Sequence, residues 1–106
     1  MTKYLIKASY TAEGTQGLLK KGGTNRKKAI DEMVKGLGGK LESFYYACGA
    51  YDVYAVCSLP DVATASAIML SINASGLVNV CSELLIHPEE IDKAKNMVVK
   101  YRTPGN

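Results

Sequence analysis

Residues 44–56, Phe44-Tyr45-Tyr46-Ala47-Cys48-Gly49-Ala50-Tyr51-Asp52-Val53-Tyr54-Ala55-Val56 (FYYACGAYDVYAV), decide how this chain folds. Two runs rich in aromatic and β-branched residues flank a small pair, Gly49-Ala50, a pattern that predicts a β-hairpin. With a two-residue turn, Cys48 pairs with Tyr51 and Glu42 pairs with Cys57. Side chains alternate along a strand, so Phe44, Tyr46, Cys48, Tyr51, Val53, Ala55 and Cys57 then share one face. Tyr45, Ala47, Asp52, Tyr54 and Val56 share the other. A slip of one residue regroups the second strand. In either register aromatic side chains stand on both faces, so both need cover.

Outward from the hairpin, Lys3 to Tyr10 alternates apolar and polar residues as a strand does. Thr11 to Gly23 holds Leu18-Leu19 in a Gly- and Lys-rich frame and reads as a short helix that breaks at Gly22-Gly23. Thr24 is the expected N-cap of the next helix, whose stripe is Ile30, Met33, Val34 and Leu37. Gly36, Gly38 and Gly39 end it. The hairpin strands run from Lys40 to Cys48 and from Tyr51 to Leu59. Pro60-Asp61 starts a further helix with Asp61 as N-cap, Val62, Ala65, Ile68, Met69 and Ile72 facing inward, and Gly76 just past its end. Leu77 to Ile86 is a fourth strand. His87-Pro88-Glu89-Glu90 opens a last helix, with Pro at its first position, acids in its first turn, and Ile91, Ala94 and Val98 on one face. Tyr101 to Asn106 is a tail. The order β-α-β-β-α-β plus a C-terminal helix is the α+β, ferredoxin-like split βαβ arrangement. Its core spans about 3–86, with the helix and tail at 87–106. Two helices cover one face of a four-stranded antiparallel sheet, and a second copy of the chain is the expected cover for the other.

The 106 residues fit one domain, and 47% hydrophobic with 22% charged residues is ordinary for a globular protein. There is no apolar run near the roughly 18 residues of a membrane span. The segment MTKYLIKASY lacks the apolar core of a signal peptide, so the cytoplasm is the expected location. A net charge of +3 falls short of a nucleic-acid signature. Tyr51 and Tyr54 are also not two apart behind a basic residue, as an RNA-recognition sheet requires, so no nucleic-acid partner is expected. Cys48 and Cys57 lie about 20 Å apart along the predicted ladder, far beyond the roughly 7 Å a disulfide tolerates. No CxxC or His-spaced pattern accompanies them, and His87 is the sole histidine, read as a helix-entry residue. No metal and no cofactor are expected.

Seven tyrosines against one phenylalanine is an unusual choice for a plain core. Each buried phenol without a partner costs about 1–3 kcal/mol, so these hydroxyls either tie strands to backbone or converge on a pocket. Asp52 has two candidate roles: accepting backbone N–H bonds at the turn, or acting as a partly buried base. The catalytic candidates are accordingly Asp52 and Tyr54. Five of the thirteen basic residues lie between Lys20 and Lys28. Arg26, Lys27 and Lys28 crowd the positive end of a helix, which disfavours it by about 0.3–1 kcal/mol each. Such a departure, beside Gly22-Gly23 and free helix N–H groups, has two readings: a solvated, lysine-bearing surface face, or a site for an anion, with Arg26 and Lys20 as its residues. The expected ligand-binding set is Tyr10, Lys20, Arg26, Tyr45, Tyr46 and Tyr51.

Gly49-Ala50-Tyr51-Asp52, followed by a Val-rich strand, resembles the signature of the GYD-domain family, with Ala50 interposed. Ala8 to Gly23 (ASYTAEGTQGLLKKGG) is similar to that family's opening segment. His87-Pro88-Glu89-Glu90 and Tyr101 to Gly105 resemble the closing turns of its longer members. The resemblance implies a ferredoxin-like domain that pairs into a dimeric α/β barrel, and it brings no established activity. Two functions suit the residues. One is a homo-oligomeric small-molecule binding module or small cofactor-independent enzyme, with a tyrosine-lined pocket for an anion. The other is a structural or regulatory oligomer without a ligand.

Overall fold

The hairpin pairs in the predicted register but turns differently. A computed structural model describes residues 1–106. It places β1 at Thr2–Tyr10, α1 at Ala12–Lys21, α2 at Gly23–Gly36, β2 at Lys40–Tyr46, β3 at Val53–Leu59, α3 at Val62–Ala74, β4 at Val78–Leu85 and α4 at Pro88–Lys95. The fold is α+β, with one open antiparallel sheet in the order β2-β3-β1-β4 and four helices. Tyr46 faces Val53, Tyr45 faces Tyr54 and Phe44 faces Ala55, as a turn at Gly49-Ala50 requires. The strands themselves stop at Tyr46 and resume at Val53, so the two-residue turn is replaced by a longer connection.

Asp52 explains the connection. Its N–H donates to the Ala8 carbonyl at 2.8 Å, and its carboxylate accepts the Tyr10 N–H at 2.8 Å. These bonds draw the end of the connection onto β1. Tyr51 is thereby placed on the opposite face from Phe44 and Tyr46, beside Lys7 and Tyr54. A second departure lies at Glu42, where a bulge pairs Cys57 with Leu41 instead. Glu42 accepts from Ser58 at 2.7 Å and pairs with Lys3 at 3.1 Å.

The ambiguous segment after β1 is helical. The Thr11 hydroxyl accepts the Gly14 N–H at 3.2 Å and caps α1. Gly14 must be glycine, since a Cβ there would stand 2.0 Å from the Leu77 carbonyl oxygen. Gly22, at φ 88°, lets α1 pass directly into α2, so the cap falls there and not on Thr24. The first turn of α2 carries no acid.

The helices bury one face of the sheet. Tyr4, Val34, Cys57, Leu59, Ala65 and Ile68 form the main core, with Ala8, Val53 and Val78 in a second cluster. The alternating burial along β3 is the expected pleat. Some expected apolar contacts are absent. Leu37 is the exposed C-cap of α2, and Val62 points to solvent at the start of α3. The expected apolar face of the last helix packs on nothing: Ile91 and Ala94 are exposed, and Val98 lies beyond α4 and is 94% exposed. The far face, bearing Leu5, Tyr45, Tyr54 and Val56, is covered by no helix, and Tyr45 is 70% exposed. No helix is long and apolar enough to cross a membrane.

Candidate functional site

The helix layer parts over the end of β1 and the start of β4. Glu13, Gly14, Gly17, Leu18 and Lys21 of α1, with Asn25, Arg26, Ile30 and Met33 of α2, form one wall. Ser71 and Ile72 of α3, with Ser75 and Leu77, form the other, over Tyr10 and Val78. The cleft holds about 500 Å³, within the range of small-molecule sites. Gly17 contributes to its width, because it has open space where a side chain would stand, whereas Gly14 lets α1 close against the Leu77 carbonyl. The floor continues into a narrow cavity of about 50 Å³ between the sheet and α2 and α3, lined by 18 residues of which 17 are hydrophobic. Arg26 is the one charged group among them. Tyr10, Arg26, Ile30, Met33, Ile72 and Val78 border both spaces.

Arg26 sits in the first turns of α2 because Gly22 ends α1 there. Tyr46, at the end of edge strand β2, reaches across and donates its hydroxyl to the Gly23 carbonyl at 3.0 Å. A Cβ at Gly23 would come within 2.9 Å of the Tyr46 ring, so glycine is needed for this approach. Phe44 braces the ring edge-on at 5.3 Å between centroids. Partial burial and the neighbouring Tyr10 phenol push the Tyr46 hydroxyl up to about 12, while Arg26 acts in the opposite direction. At neutral pH it is therefore a proton-bearing donor. Tyr10 is held from behind by the Asp52 carboxylate on its N–H. Asp52 thus accepts a backbone N–H, as one of its candidate roles supposed, but from β1 across the sheet and not from its own turn.

Of the expected site residues, Tyr10, Arg26 and Tyr46 meet at this mouth, with Asp52 as a brace. The others lie elsewhere. Lys20 is an exposed residue of α1, and its neighbour Lys21 borders the cleft. Tyr45, Tyr51 and Tyr54 stand on the uncovered sheet face. There the Lys7 ammonium sits 4.9 Å from the Tyr51 ring centre, the Tyr54 ring lies edge-on at 6.0 Å, and Lys7 also pairs with Glu83 at 3.3 Å. The bond to Glu83 holds the Lys7 ammonium above its usual range, and the neighbouring Cys81 thiol raises the Tyr51 phenol. Glu13, Lys21, Asn25, Ser71 and Ser75 were missed. The spacing of Gly14 and Gly17 on one side of α1 was the signal for a groove.

The arrangement sets the guanidinium of Arg26 at the boundary between a small apolar cavity and a wider, more polar cleft. It offers no nucleophile paired with a base at the mouth. No curated protein and no solved structure matches this chain. The family model described as GYD domain matches residues 4–94, which takes in the sheet, the cleft and α4 up to its last turn. The chain belongs to the GYD-domain family.

Proposed function

We propose that this protein is a homo-oligomeric binding domain for a small amphiphilic anion, an organic acid with a short apolar tail. The observation that carries it is Arg26, the lone charge in the lining of an otherwise apolar cavity. A guanidinium at such a boundary is matched by a carboxylate, whose two oxygens fit its fork of donors. Tyr10 and Tyr46 flank the same point, where Tyr46 is fixed by its hydrogen bond to the Gly23 carbonyl. The cleft volume suits a ligand of this size. The strand order is that of a ferredoxin-like domain. The uncovered face with Leu5, Tyr45, Tyr54 and Val56 supports pairing of two sheets into an α/β barrel. Three free thiols suit a reducing cytoplasm.

Octanoate, 1-octanol and octylamine, titrated calorimetrically, test the reading. Octanoate binds best, and Arg26→Met weakens it about 10- to 150-fold, the value of one hydrogen bond to a charged group. Equal affinity for octanoate and octanol, or an Arg26→Met protein of native fold that binds octanoate unchanged, would overturn it.

A further inference from the structure

One side of the domain is apolar without being covered. α3 contains no charged residue from Val62 to Ala74, and its apolar residues are not confined to the stripe that faces the sheet. Only Ala65 and Ile68 are buried in it, while Val62 and Leu70 point outward and Leu70 is 72% exposed. α3 packs beside β4, an edge strand whose Leu84 is also exposed, as is Ile86 just beyond its end. From that edge the chain leaves the domain. Every residue from Ile86 to Asn106 is exposed, including Ile91, Met97, Val98, Val99 and Tyr101. The radius of gyration is 17.1 Å, against about 13 Å for a compact chain of this length, and the longest dimension is 56 Å.

An eight-residue helix such as α4 is far below the roughly 12–15 residues at which isolated helices become even marginal in water. Something must hold it. We infer that residues 88–106 form an exchanged arm that lies along α3 and the β4 edge of a second copy of this chain. Both halves of the contact are present in one sequence, so two copies related by a twofold axis cover each other's arm and each other's α3. Pro88 at the first turn and His87 in extended backbone direct the arm outward after a short link. α4 contributes about 12 Å and the residues beyond it up to about 36 Å, against about 20 Å for α3. The last turn of α3 has no basic residue of its own, and the arm beyond its acidic first turn and Asp92 carries Lys93, Lys95, Lys100 and Arg102.

Val62 and Leu70, the outward residues of α3 that the arm would cover, line neither the anion cleft nor the uncovered sheet face, so failure of the contact leaves both of those tests standing. Cys48→Ser/Cys81→Ser protein removes the exposed thiols. In that background one full-length sample carries Val98→Cys and another Leu70→Cys, each confirmed as folded by circular dichroism. The two are mixed, allowed to exchange subunits after mild urea treatment, and joined with a short bismaleimide. The expected product on a denaturing gel has twice the 11.4 kDa chain mass, and it forms from the mixture and not from either protein alone. Absence of that product overturns the inference. So does a chain bearing both substitutions that closes only within itself and stays at single mass. In sedimentation, Val98→Asp should lower the oligomer mass at a given concentration, and an unchanged mass also counts against the arm.

Discussion

Asp52 offers the sharpest separation between a brace and a base. Its Oδ2 accepts the Tyr10 N–H at 2.8 Å across the sheet, at the strand end that carries Tyr10 into the cleft mouth. Asp52→Ala leaves that part-buried N–H without its partner and loses a hydrogen bond to a charged group, a change of about 1.5–3 kcal/mol. Because Asp52 is only half-buried, the low end applies, about 1.5 kcal/mol. A domain near 100 residues shifts its Tm by about 4–8 °C per kcal/mol, so the drop is about 6–12 °C. Asp52→Asn keeps a carbonyl oxygen that can accept the same N–H, and should recover at least half of the loss. Scanning calorimetry on the three proteins reads this directly, and octanoate titration should follow the same order, because Tyr10 loosens when its N–H is freed. A base would behave otherwise. Asp52→Ala with an unchanged Tm would refute the brace, and so would an Asp52→Asn protein no more stable than Asp52→Ala.

Other consequences follow from single positions. Gly14→Ala places a Cβ against the Leu77 carbonyl and should destabilise by about 1–3 kcal/mol, whereas Gly17→Ala meets nothing and should stabilise by up to about 1 kcal/mol through helix propensity. Urea denaturation of the pair checks the opposite signs. The Tyr4 hydroxyl is buried without a hydrogen-bond partner, so Tyr4→Phe should raise stability by about 1 kcal/mol in the same assay. The hydrogen bond from Ser58, then the one from Lys3, holds Glu42 below the usual carboxylate range. A carboxyl depressed in the folded state stabilises above its ordinary titration and loses that contribution as pH falls through its folded value. Thermal melts of Glu42→Gln should therefore lie below the parent at pH 7 and converge with it in acid. A gap that stays constant with pH would contradict the pairing.

Strand and helix positions were legible where periodicity was strong. Ile30, Met33 and Val34 face inward as their spacing requires, and the β3 alternation from Val53 to Leu59 is visible in the sequence. The ladder register was legible as well, because it follows from the centre of the loop. What could not be read is a long-range bond. Asp52 lies 42 residues from Tyr10, and its bonds to Ala8 and Tyr10 hold the end of the connection on β1, beside which Tyr51 stands on the uncovered face. The bulge at Glu42 has a similar origin, since its partners Lys3 and Ser58 come from other strands. The division of the candidate site was legible for Tyr45 and Tyr46 and not for Tyr51. The tyrosines around the hairpin are neighbours in sequence, but adjacent side chains on a strand point to opposite faces, so Tyr45 left the group that Tyr46 joined. Arg26 was legible because it broke a rule: a cation in a helix's first turns needs a reason, and here it faces the cavity.

The central claim is that an organic anion enters between the helices with its acidic end at Arg26. Amide and methyl chemical shifts of the isotopically labelled protein, followed by NMR during octanoate addition, test this most directly. The account predicts saturable shifts at Tyr10, Arg26, Ile30, Ile72 and Val78, with Leu5, Tyr45 and Val56 unmoved. Shifts confined to the uncovered sheet face, or none at millimolar octanoate, would contradict it.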